Sequence, residues 1–403
     1  MKVALINAVY GYGSTGLIVK NIEEALIQSD NEAVVIYQYA APLPNKGRRV
    51  GNLIDWKLHA LYTRLDGKQG FASRCPTKKL IKYLENEKPD VVHLHNVHAN
   101  FINLPLLLSY LAQEDIPTVI TLHDCWFFTG KCTHFAAIGC ERWREGCGNC
   151  PKQNETPASL IRDASAEVLM KKASLYNNLS KLTVVGCSKW ISNLAKQSTA
   201  FKQCQVKQIY NGVDTAVFIP MDREKCRNKH GVKADFVILG MANKWLDKRN
   251  LGILNEIKKQ LHENELLLII GCNEVQKKMI SGYDKVRAVG YIESREELAE
   301  YYNVADVFCN LTLEDTLPTV NMEALSCGTP VVTYDSCGSP ELVVEDQTGF
   351  VVEQGDIDGL IEAFEKIKSG AISRSSCYEY AKHSYDKSER YQEYLRLYRS
   401  MLP

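Results

Sequence analysis

No run in the 403-residue sequence approaches the roughly 20 consecutive apolar residues that a membrane-spanning helix needs. The formal net charge is zero, which argues against a protein that binds nucleic acid over much of its surface. The opening residues also lack a signal-peptide pattern, because their short apolar run leads directly into a glycine loop without a cleavage site. Internal repeats and low-complexity segments are missing as well. We therefore expect a cytoplasmic protein that binds no nucleic acid.

The length and the thiol content narrow the protein class further. A chain of 403 residues is too long for one small core and fits two α/β domains. Runs typical of buried strands alternate with helical patterns throughout, and this alternation predicts parallel sheets. Fourteen cysteines in a chain without a secretion signal indicate reduced thiols or a metal site.

A glycine loop at 11–16 follows the first predicted strand (residues 2–9) and precedes a predicted helix (residues 17–29). Its sequence GYGSTG fits the G-x-G-x-x-G pattern of dinucleotide sites, which also requires an acidic residue at the end of the next strand. That strand, residues 33–39, ends in Gln38 and Tyr39, so the pattern disfavours a nicotinamide cofactor. The loop remains a place where backbone amides can approach a phosphate or a sugar.

Two predicted strands end in histidines. His95 lies at the end of the strand predicted at 89–98, and His123 follows the strand predicted at 118–122. Because ligands bind at the carboxyl ends of strands in open α/β sheets, both side chains should face a ligand cleft. A metal pair of His93 and His95 is the alternative, although no carboxylate or cysteine stands at a suitable spacing.

A basic segment at 45–79 contains apolar residues at helical spacing, namely Ile54, Leu58, Leu61 and Leu65. Two interpretations stay open. The helix either packs its apolar stripe on its own domain or lies on an anionic membrane surface.

Four cysteines within about 20 residues suit a closed tetrahedral zinc site. They are Cys132, Cys140, Cys147 and Cys150, of which the last two form a C-x-x-C pair. An iron–sulfur cluster and free thiols stay open as alternatives, whereas the expected compartment disfavours disulfides.

A carboxylate-bearing helix is predicted after Pro318 and ends at Gly328. Asp315 precedes it and Glu323 lies on it, while the amides at its start, those of Thr319 and Val320, can hold an anion. The simpler alternative is that these acids only complement the helix dipole.

In one stretch an acidic residue is followed by seven residues, then Glu323, and then ALSCGTPVV. This stretch resembles the donor-binding signature of the retaining glycosyltransferases of family 4. The sequence Asn211-Gly212-Val213-Asp214 is similar to the signature at that family's inter-domain border. A cysteine-rich string that begins HDCWFFTGKC resembles a branch associated with bacterial surface polysaccharides.

The resemblance implies the GT-B fold, an α/β architecture of two Rossmann-like parallel-sheet domains facing a deep cleft. It implies an acceptor-side domain at 1–214 with a Cys-rich insertion at 125–151, a nucleotide-sugar-binding domain at 215–384, and a C-terminal helix at 385–403 that crosses back.

The resemblance also implies roles for the donor-side residues. Glu323 should contact the ribose hydroxyls, and the acid eight residues earlier should contact the donor sugar. That acid is Asp315, where the family usually has Glu, so Glu314 and Asp315 both stay open. The diphosphate should contact Lys248 or Arg249, together with the amides of Thr319 and Val320. Tyr291 should contact the nucleotide base. Gly13 should lie near the phosphates.

On the acceptor side the resemblance places His123 beside the transferred sugar, with His95 and Gly16 nearby. The implied reaction is retaining transfer of a hexosyl group from a nucleotide sugar to a glycan or a lipid-linked glycan. The leaving phosphate takes the acceptor proton, and no Asp-x-Asp metal motif or obvious nucleophile stands out. We therefore expect no catalytic cofactor. The cysteine spacing leads us to expect a structural zinc ion, and the basic segment leads us to expect a peripheral contact with the inner face of the membrane. A GT-B sugar-nucleotide epimerase and a catalytically silent glycan-assembly subunit are the alternative functions.

Overall fold

The computed structural model describes residues 1–403, which fall into two compact units. Unit 1 consists of Met1–Asn211 together with Ser388–Pro403, and unit 2 consists of Gly212–Lys387. Each unit has its own parallel sheet. None of the helices combines the length and the apolar character that crossing a membrane requires.

Unit 1 contains nine strands: β1 (Lys2–Ile6), β2 (Val9–Tyr10), β3 (Glu32–Tyr37), β4 (Tyr39–Ala40), β5 (Gly47–Arg49), β6 (Val91–Leu94), β7 (Thr118–Leu122), β8 (Leu182–Gly186) and β9 (Gln205–Gln208). Its first six helices are α1 (Gly13–Gln28), α2 (Leu53–Asp66), α3 (Arg74–Glu87), α4 (Leu104–Gln113), α5 (Ser165–Asn177) and α6 (Lys189–Gln197).

Unit 2 contains six strands: β10 (Phe236–Met241), β11 (Glu265–Ile270), β12 (Val286–Ala288), β13 (Val307–Asn310), β14 (Val331–Tyr334) and β15 (Gly349–Val352). Its helices are α7 (Arg223–Lys229), α8 (Ala242–Trp245), α9 (Leu251–Gln260), α10 (Glu274–Ile280), α11 (Arg295–Val304), α12 (Thr319–Ser326), α13 (Ile357–Lys368) and α14 (Arg374–Tyr385). The last helix, α15 (Lys387–Met401), belongs to unit 1 from Ser388 onward.

The main sheet of unit 1 has the order β5-β3-β1-β6-β7-β8-β9, and every pairing is parallel. Val3 of β1 stands opposite Ala33 of β3 on one side and Val91 of β6 on the other. The strand order therefore reverses between β1 and β6. In open α/β sheets such a reversal opens a crevice at the carboxyl ends of the two strands, where ligands bind.

The core of unit 1 includes residues from both ends of the chain. Ile18, Ile22 and Leu26 repeat at helical spacing on α1 and are buried in the same cluster as Tyr394 and Tyr398 of α15. Burying side chains of this size contributes roughly 1.5–3 kcal/mol each. The final helix is thus an integral part of this unit's core.

The sheet of unit 2 has the order β12-β11-β10-β13-β14-β15 and is also parallel. Its strand order reverses between β10 and β13. The crevice expected from this topology lies where β10 leads into residues 242–250 and β13 leads into residues 311–318.

The C-terminal helix predicted at 385–403 begins at Lys387, because a break at Asp386 separates it from α14. The break occurs because Val213 donates its N–H to Tyr385 O (2.7 Å) and accepts from Lys387 N (2.9 Å), which forms an isolated β-bridge. A backbone held in a bridge cannot also continue helical hydrogen bonds.

Candidate active site

The crevice of unit 2 is held together by hydrogen bonds between its two loops. The buried Asn250 amide donates to Lys244 O (2.9 Å) and to Leu311 O (2.8 Å). Trp245 Nε1 donates to Cys309 O (2.9 Å). These contacts fix the loop that carries Lys248 beside the segment that leads into α12.

The two predicted diphosphate-binding cations differ in their surroundings. Arg249 makes a bidentate contact with Asp247, with nitrogen–oxygen distances of 3.0 and 2.9 Å, and this guanidinium lowers the pKa of Asp247 to about 2. Lys248 is exposed and takes part in no salt bridge. The uncompensated positive charge of this loop therefore belongs to Lys248, whereas the charge of Arg249 is largely balanced.

The start of α12 is open to an anion. Pro318 is its N-cap residue, with φ −70° and ψ 105°, and neither a side-chain cap nor an acidic residue occupies the first turn. Thr319 and Val320 are the first two residues of this helix, and both are only partly buried. The amides of an uncapped helix N-terminus favour phosphate groups.

Glu323 lies one turn further along α12, where its carboxylate accepts a hydrogen bond from the buried Tyr302 hydroxyl at 3.0 Å. Burial raises the pKa of Glu323 to about 7, although the Tyr302 hydrogen bond and the positive charge of Arg295 both act in the opposite direction. A ligand that donates hydroxyl groups to this carboxyl stabilises its ionised form, so the group is suited to bind a sugar diol.

Asp315 is positioned by the turn before α12. Its Oδ1 accepts from Leu317 N (3.1 Å), and its carbonyl oxygen accepts from Gly338 N (3.1 Å). Thr316 and Ser339, on the two joined segments, have buried hydroxyls with no hydrogen-bond partner. Buried polar atoms without partners are rare in native structures, so these hydroxyls fit a ligand-binding role. The geometry does not choose between Glu314 and Asp315.

Cys337 adopts a left-handed backbone conformation, with φ +52°. A glycine would tolerate such a conformation without steric cost. A cysteine here instead costs about 1–2 kcal/mol, and the bond from Gly338 N to Asp315 O helps to hold the turn.

Tyr291 lies away from this cluster, on the loop that follows β12. Its side chain is 82% exposed. The loop is tied to the end of β11 by hydrogen bonds from Gly271 N to Gly290 O (3.1 Å) and from Cys272 N to Val289 O (2.9 Å). An exposed aromatic ring at this edge of the sheet can stack on a nucleotide base.

The predicted histidines of unit 1 lie together at the ends of β6 and β7. His95 Nδ1 and His123 Nε2 are 2.9 Å apart, and the two rings stack with centroids 5.2 Å apart. Burial lowers the pKa of His123 to about 4 and places the pKa of His95 well below its usual range. Both imidazoles are therefore neutral at pH 7, and a ring N–H of one donates a hydrogen bond to the ring nitrogen of the other.

His93 has no ring nitrogen left for a metal ion. Its Nδ1 lies 2.7 Å from Tyr398 Oη, and its Nε2 lies 2.7 Å from Thr121 Oγ1. A buried histidine with two partners in the core stabilises the fold, and the structure thus does not support a metal pair with His95.

The two glycines predicted to face ligands have different environments. Gly13 begins α1 at φ +63°, is exposed, and has no atom within 4 Å of the position of an added Cβ. Gly16 is buried, and its carbonyl oxygen accepts from Gly11 N at 3.0 Å. An added Cβ at Gly16 would lie 3.3 Å from Val9 Cγ2. Gly16 therefore shapes the loop, whereas Gly13 is open to a ligand.

Tyr302 and Asn250 are site residues that the sequence did not reveal. Tyr302 lies 21 positions before Glu323 on another helix. Asn250 acts through two backbone carbonyls, of which that of Leu311 is 61 positions away. Neither belongs to a local motif.

Comparison with known proteins agrees with this geometry. Residues 16–217 match the sequence profile described as Glycosyltransferase Family 4, and residues 222–384 match the one described as Glycosyl transferases group 1. The first match covers half of the chain, and together the two cover both units.

Two curated relatives and one solved structure extend the comparison. The putative colanic acid biosynthesis glycosyl transferase WcaC of Escherichia coli K12 is 25% identical over 78% of this chain and 77% of its own length. The UDP-Gal:alpha-D-GlcNAc-diphosphoundecaprenol alpha-1,3-galactosyltransferase of Escherichia coli is 23% identical over 73% of this chain and 70% of its own. Sucrose-phosphate synthase from Thermosynechococcus elongatus superposes with a TM-score of 0.72 at 18% identity, covering 99% of this chain and 98% of that one.

These similarities confirm the predicted fold and the predicted class of enzyme. The chain belongs to glycosyltransferase family 4 and has the GT-B fold.

Proposed function

We propose that this enzyme transfers a hexosyl group from a nucleotide sugar to a saccharide or a lipid-linked saccharide in bacterial surface polysaccharide synthesis. The transfer retains the anomeric configuration and needs no catalytic metal ion. The name of WcaC refers to colanic acid biosynthesis, which supports the polysaccharide assignment. The galactosyltransferase uses UDP-Gal and a diphosphoundecaprenol-linked acceptor according to its name, which supports both substrate classes.

The observation that carries the proposal is the arrangement around α12. A partly buried carboxyl group, that of Glu323, lies one helical turn from an uncapped N-terminus, and an unpaired cation stands on the neighbouring loop. Vicinal hydroxyls of a ribose can donate to Glu323 while the attached diphosphate reaches the amides of Thr319 and Val320. One ligand, a nucleoside diphosphate, satisfies all three features.

The chemistry follows from charge development at the leaving group. As the bond between the anomeric carbon and the phosphate oxygen breaks, negative charge grows on the diphosphate. Lys248 and the helix amides are fixed donors that stabilise this charge without reorganisation. The departing phosphate oxygen takes the proton of the acceptor hydroxyl, which attacks from the same face of the sugar.

A panel of nucleotides should reveal the donor through thermal stabilisation. We expect UDP and a UDP-hexose to raise the unfolding temperature, because a ligand that binds only the native state at about 100 times its Kd adds roughly 2.7 kcal/mol. The same increase should occur with EDTA present. Differential scanning fluorimetry with UDP, GDP, ADP and their hexose derivatives measures this directly.

The matched control in this panel is free hexose with inorganic diphosphate, which lacks the ribose. Equal stabilisation by that mixture would contradict the proposed role of Glu323. Stabilisation that appears only with Mn²⁺ or Mg²⁺ would contradict the metal-independent mechanism.

The proposed membrane contact rests on the orientation of α2. Ile54, Leu58, Leu61 and Leu65 form the apolar face of α2, and they are 68%, 61%, 54% and 44% exposed. The residues that α2 buries are polar, namely His59 and Thr63. The interpretation that α2 packs its apolar stripe on its own domain is therefore wrong.

Two further features favour an anionic lipid surface as the occupant of this face. Leu160 and Ile161 are also strongly exposed, and Leu160 N donates to Arg64 O at 2.7 Å, so they extend the apolar face at the end of α2. Five basic and two acidic residues lie between positions 45 and 66. Exposed leucines beside basic residues fit lipid headgroups of negative charge.

Polar substitution of the apolar face of α2 should weaken vesicle binding. We expect Ile54→Ser/Leu58→Ser/Leu61→Ser to lower the bound fraction at least ~10-fold, since each buried apolar side chain contributes roughly 1.5–3 kcal/mol when fully inserted. Flotation with vesicles of phosphatidylglycerol and phosphatidylcholine measures the bound fraction.

The control is Val275→Ser, which replaces an equally exposed apolar residue on α10 (76% exposed) and should leave binding unchanged. Vesicles of phosphatidylcholine alone should bind less of the unaltered protein. Equal flotation of the triple variant, or no preference for the anionic vesicles, would refute the membrane contact.

A further inference from the structure

Four thiols line one pocket in the segment that follows β7. Cys132, Cys140, Cys147 and Cys150 share this pocket with the aromatic rings of Phe135 and Trp143. Cys132 and Cys150 are hydrogen-bonded to each other. The proposed transfer reaction uses none of these side chains.

The turn that contains the last two cysteines has an unusual backbone conformation. Cys147, Gly148 and Asn149 have φ values of +58°, +95° and +46°, which gives three consecutive left-handed residues. The conformation is sterically unfavourable at each of the two non-glycine positions. Strain of this kind is typically retained where function requires it.

Hydrogen bonds hold this turn and reach one of its sulfurs. Arg142 donates to Gly148 O at 2.8 Å and also contacts Asn149 O. Gly130 N donates to Cys147 Sγ at 3.4 Å. A backbone donor aimed at sulfur stabilises a thiolate, the form in which cysteine binds metals.

Two buried lysines donate hydrogen bonds to backbone carbonyls in this region, and one of them, Lys131, lines the pocket of the thiols. Lys131 Nζ donates to Lys152 O (2.7 Å) and Gln153 O (2.8 Å), and Lys172 Nζ donates to Trp126 O (2.6 Å) and Thr129 O (3.1 Å). Neither lysine forms a salt bridge, and both are almost completely buried. Burying two positive charges is costly unless negative charge lies nearby.

A divalent ion with four thiolate ligands carries a net charge of −2 and so adds negative charge near these buried lysines. We propose that Cys132, Cys140, Cys147 and Cys150 bind one zinc ion in a closed tetrahedral site. Each thiol releases one proton to solvent and forms one sulfur–zinc bond, so no oxidant or reductant is needed.

Zinc binding should draw the thiols closer together. The one set of three potential metal-ligating atoms within 4.8 Å of one another lies elsewhere, at His262, Glu265 and Glu365. Closing the four sulfurs around an ion would therefore tighten the segment at 126–163. This segment is joined to the site in unit 1, because Trp126 N donates to Asp124 Oδ1 (2.8 Å), next to His123. The ion has a structural role and takes no part in the transfer reaction.

The metal content of the purified protein tests this proposal. We expect about one zinc per chain by inductively coupled plasma mass spectrometry after purification under reducing conditions. Cys147→Ser/Cys150→Ser should lose nearly all of it. Cys75→Ser, which alters an exposed cysteine outside the pocket, should retain it.

A second measurement keeps the test decisive if the double variant does not fold. A thiol-modifying reagent should release zinc from the unaltered protein as four thiols are modified. A strong chelator should lower the unfolding temperature of the unaltered protein. Zinc far below one per chain, iron in its place, or a disulfide between Cys132 and Cys150 in peptide mass spectra would overturn the proposal.

Discussion

Glu323→Ala should reduce transfer by at least ~100-fold while the protein remains folded. The carboxylate is proposed to accept hydrogen bonds from two ribose hydroxyls, and a hydrogen bond to a charged group contributes about 1.5–3 kcal/mol. Two such bonds correspond to about 3–6 kcal/mol, and each 1.36 kcal/mol is a tenfold change. Initial rates with the donor from the nucleotide panel, together with calorimetric binding of its nucleotide, measure both effects.

Glu323→Gln distinguishes a loss of transfer activity from damage to the fold. This variant should lose activity, yet its free energy of unfolding should increase. Burial raises the pKa of Glu323 to about 7, above the value of about 4.3 in an unfolded chain. The folded state therefore binds the proton more tightly, and the free energy of unfolding falls as pH rises from about 4.3 to 7. Glutamine does not ionise, so the variant should be more stable than the unaltered protein at pH 8, by at most about 4 kcal/mol, and equally stable at pH 4.

The matched control for both substitutions is Glu362→Gln, an exposed glutamate on α13 that pairs only with Lys366. It should alter neither the rate nor the pH dependence of stability. Full activity in Glu323→Ala would remove the basis for the donor site. A Glu323→Gln variant that is less stable at pH 8 would show that the carboxyl group is held ionised in the folded state.

Lys248→Ala/Arg249→Ala should lower kcat by about 10²–10³-fold, the usual effect of removing a fixed donor to a developing charge. The single variants should be unequal. Lys248→Ala should account for most of the loss, because Arg249 is already held by Asp247 through two contacts of 3.0 and 2.9 Å. Steady-state rates at saturating donor measure the difference.

Lys225→Ala is the control for lost positive charge. Lys225 is 85% exposed on α7 and pairs only with Asp222. Its substitution should leave kcat unchanged. Equal losses of kcat in the two single variants would mean that Arg249 leaves Asp247 and binds the substrate instead. Undiminished turnover in the double variant would show that this loop does not stabilise the leaving group.

Local patterns predicted the carboxylate-bearing helix of unit 2. The segment from Asp315 to Gly328 carries both this helix and its carboxylates within one motif. Asp315 and Glu323 are only eight positions apart in the sequence. Periodicity and capping rules are sufficient for contacts of that range.

Contacts between distant residues were beyond the sequence patterns. Tyr302 reaches Glu323 from a different helix, and the pairing of Arg249 with Asp247 shows only in the geometry of the loop. The apolar spacing on α2 was visible in the sequence. Which face of that helix meets its own domain depends on His59, whose ring contacts Ser73 Oγ (2.8 Å) and Gly70 N (3.0 Å). Periodicity identifies two faces, but it does not say what each one covers.

The contribution of α15 to the first core has a consequence for the order of biosynthesis. Tyr391, Tyr394 and Tyr398 fill space beside α1, yet they are translated after all of unit 2. The nascent form of unit 1 consequently remains incomplete on the ribosome until residues 388–403 have been made. The contiguous unit 2 can reach its native state first, which reverses the amino-terminal-first sequence usual for nascent multidomain chains.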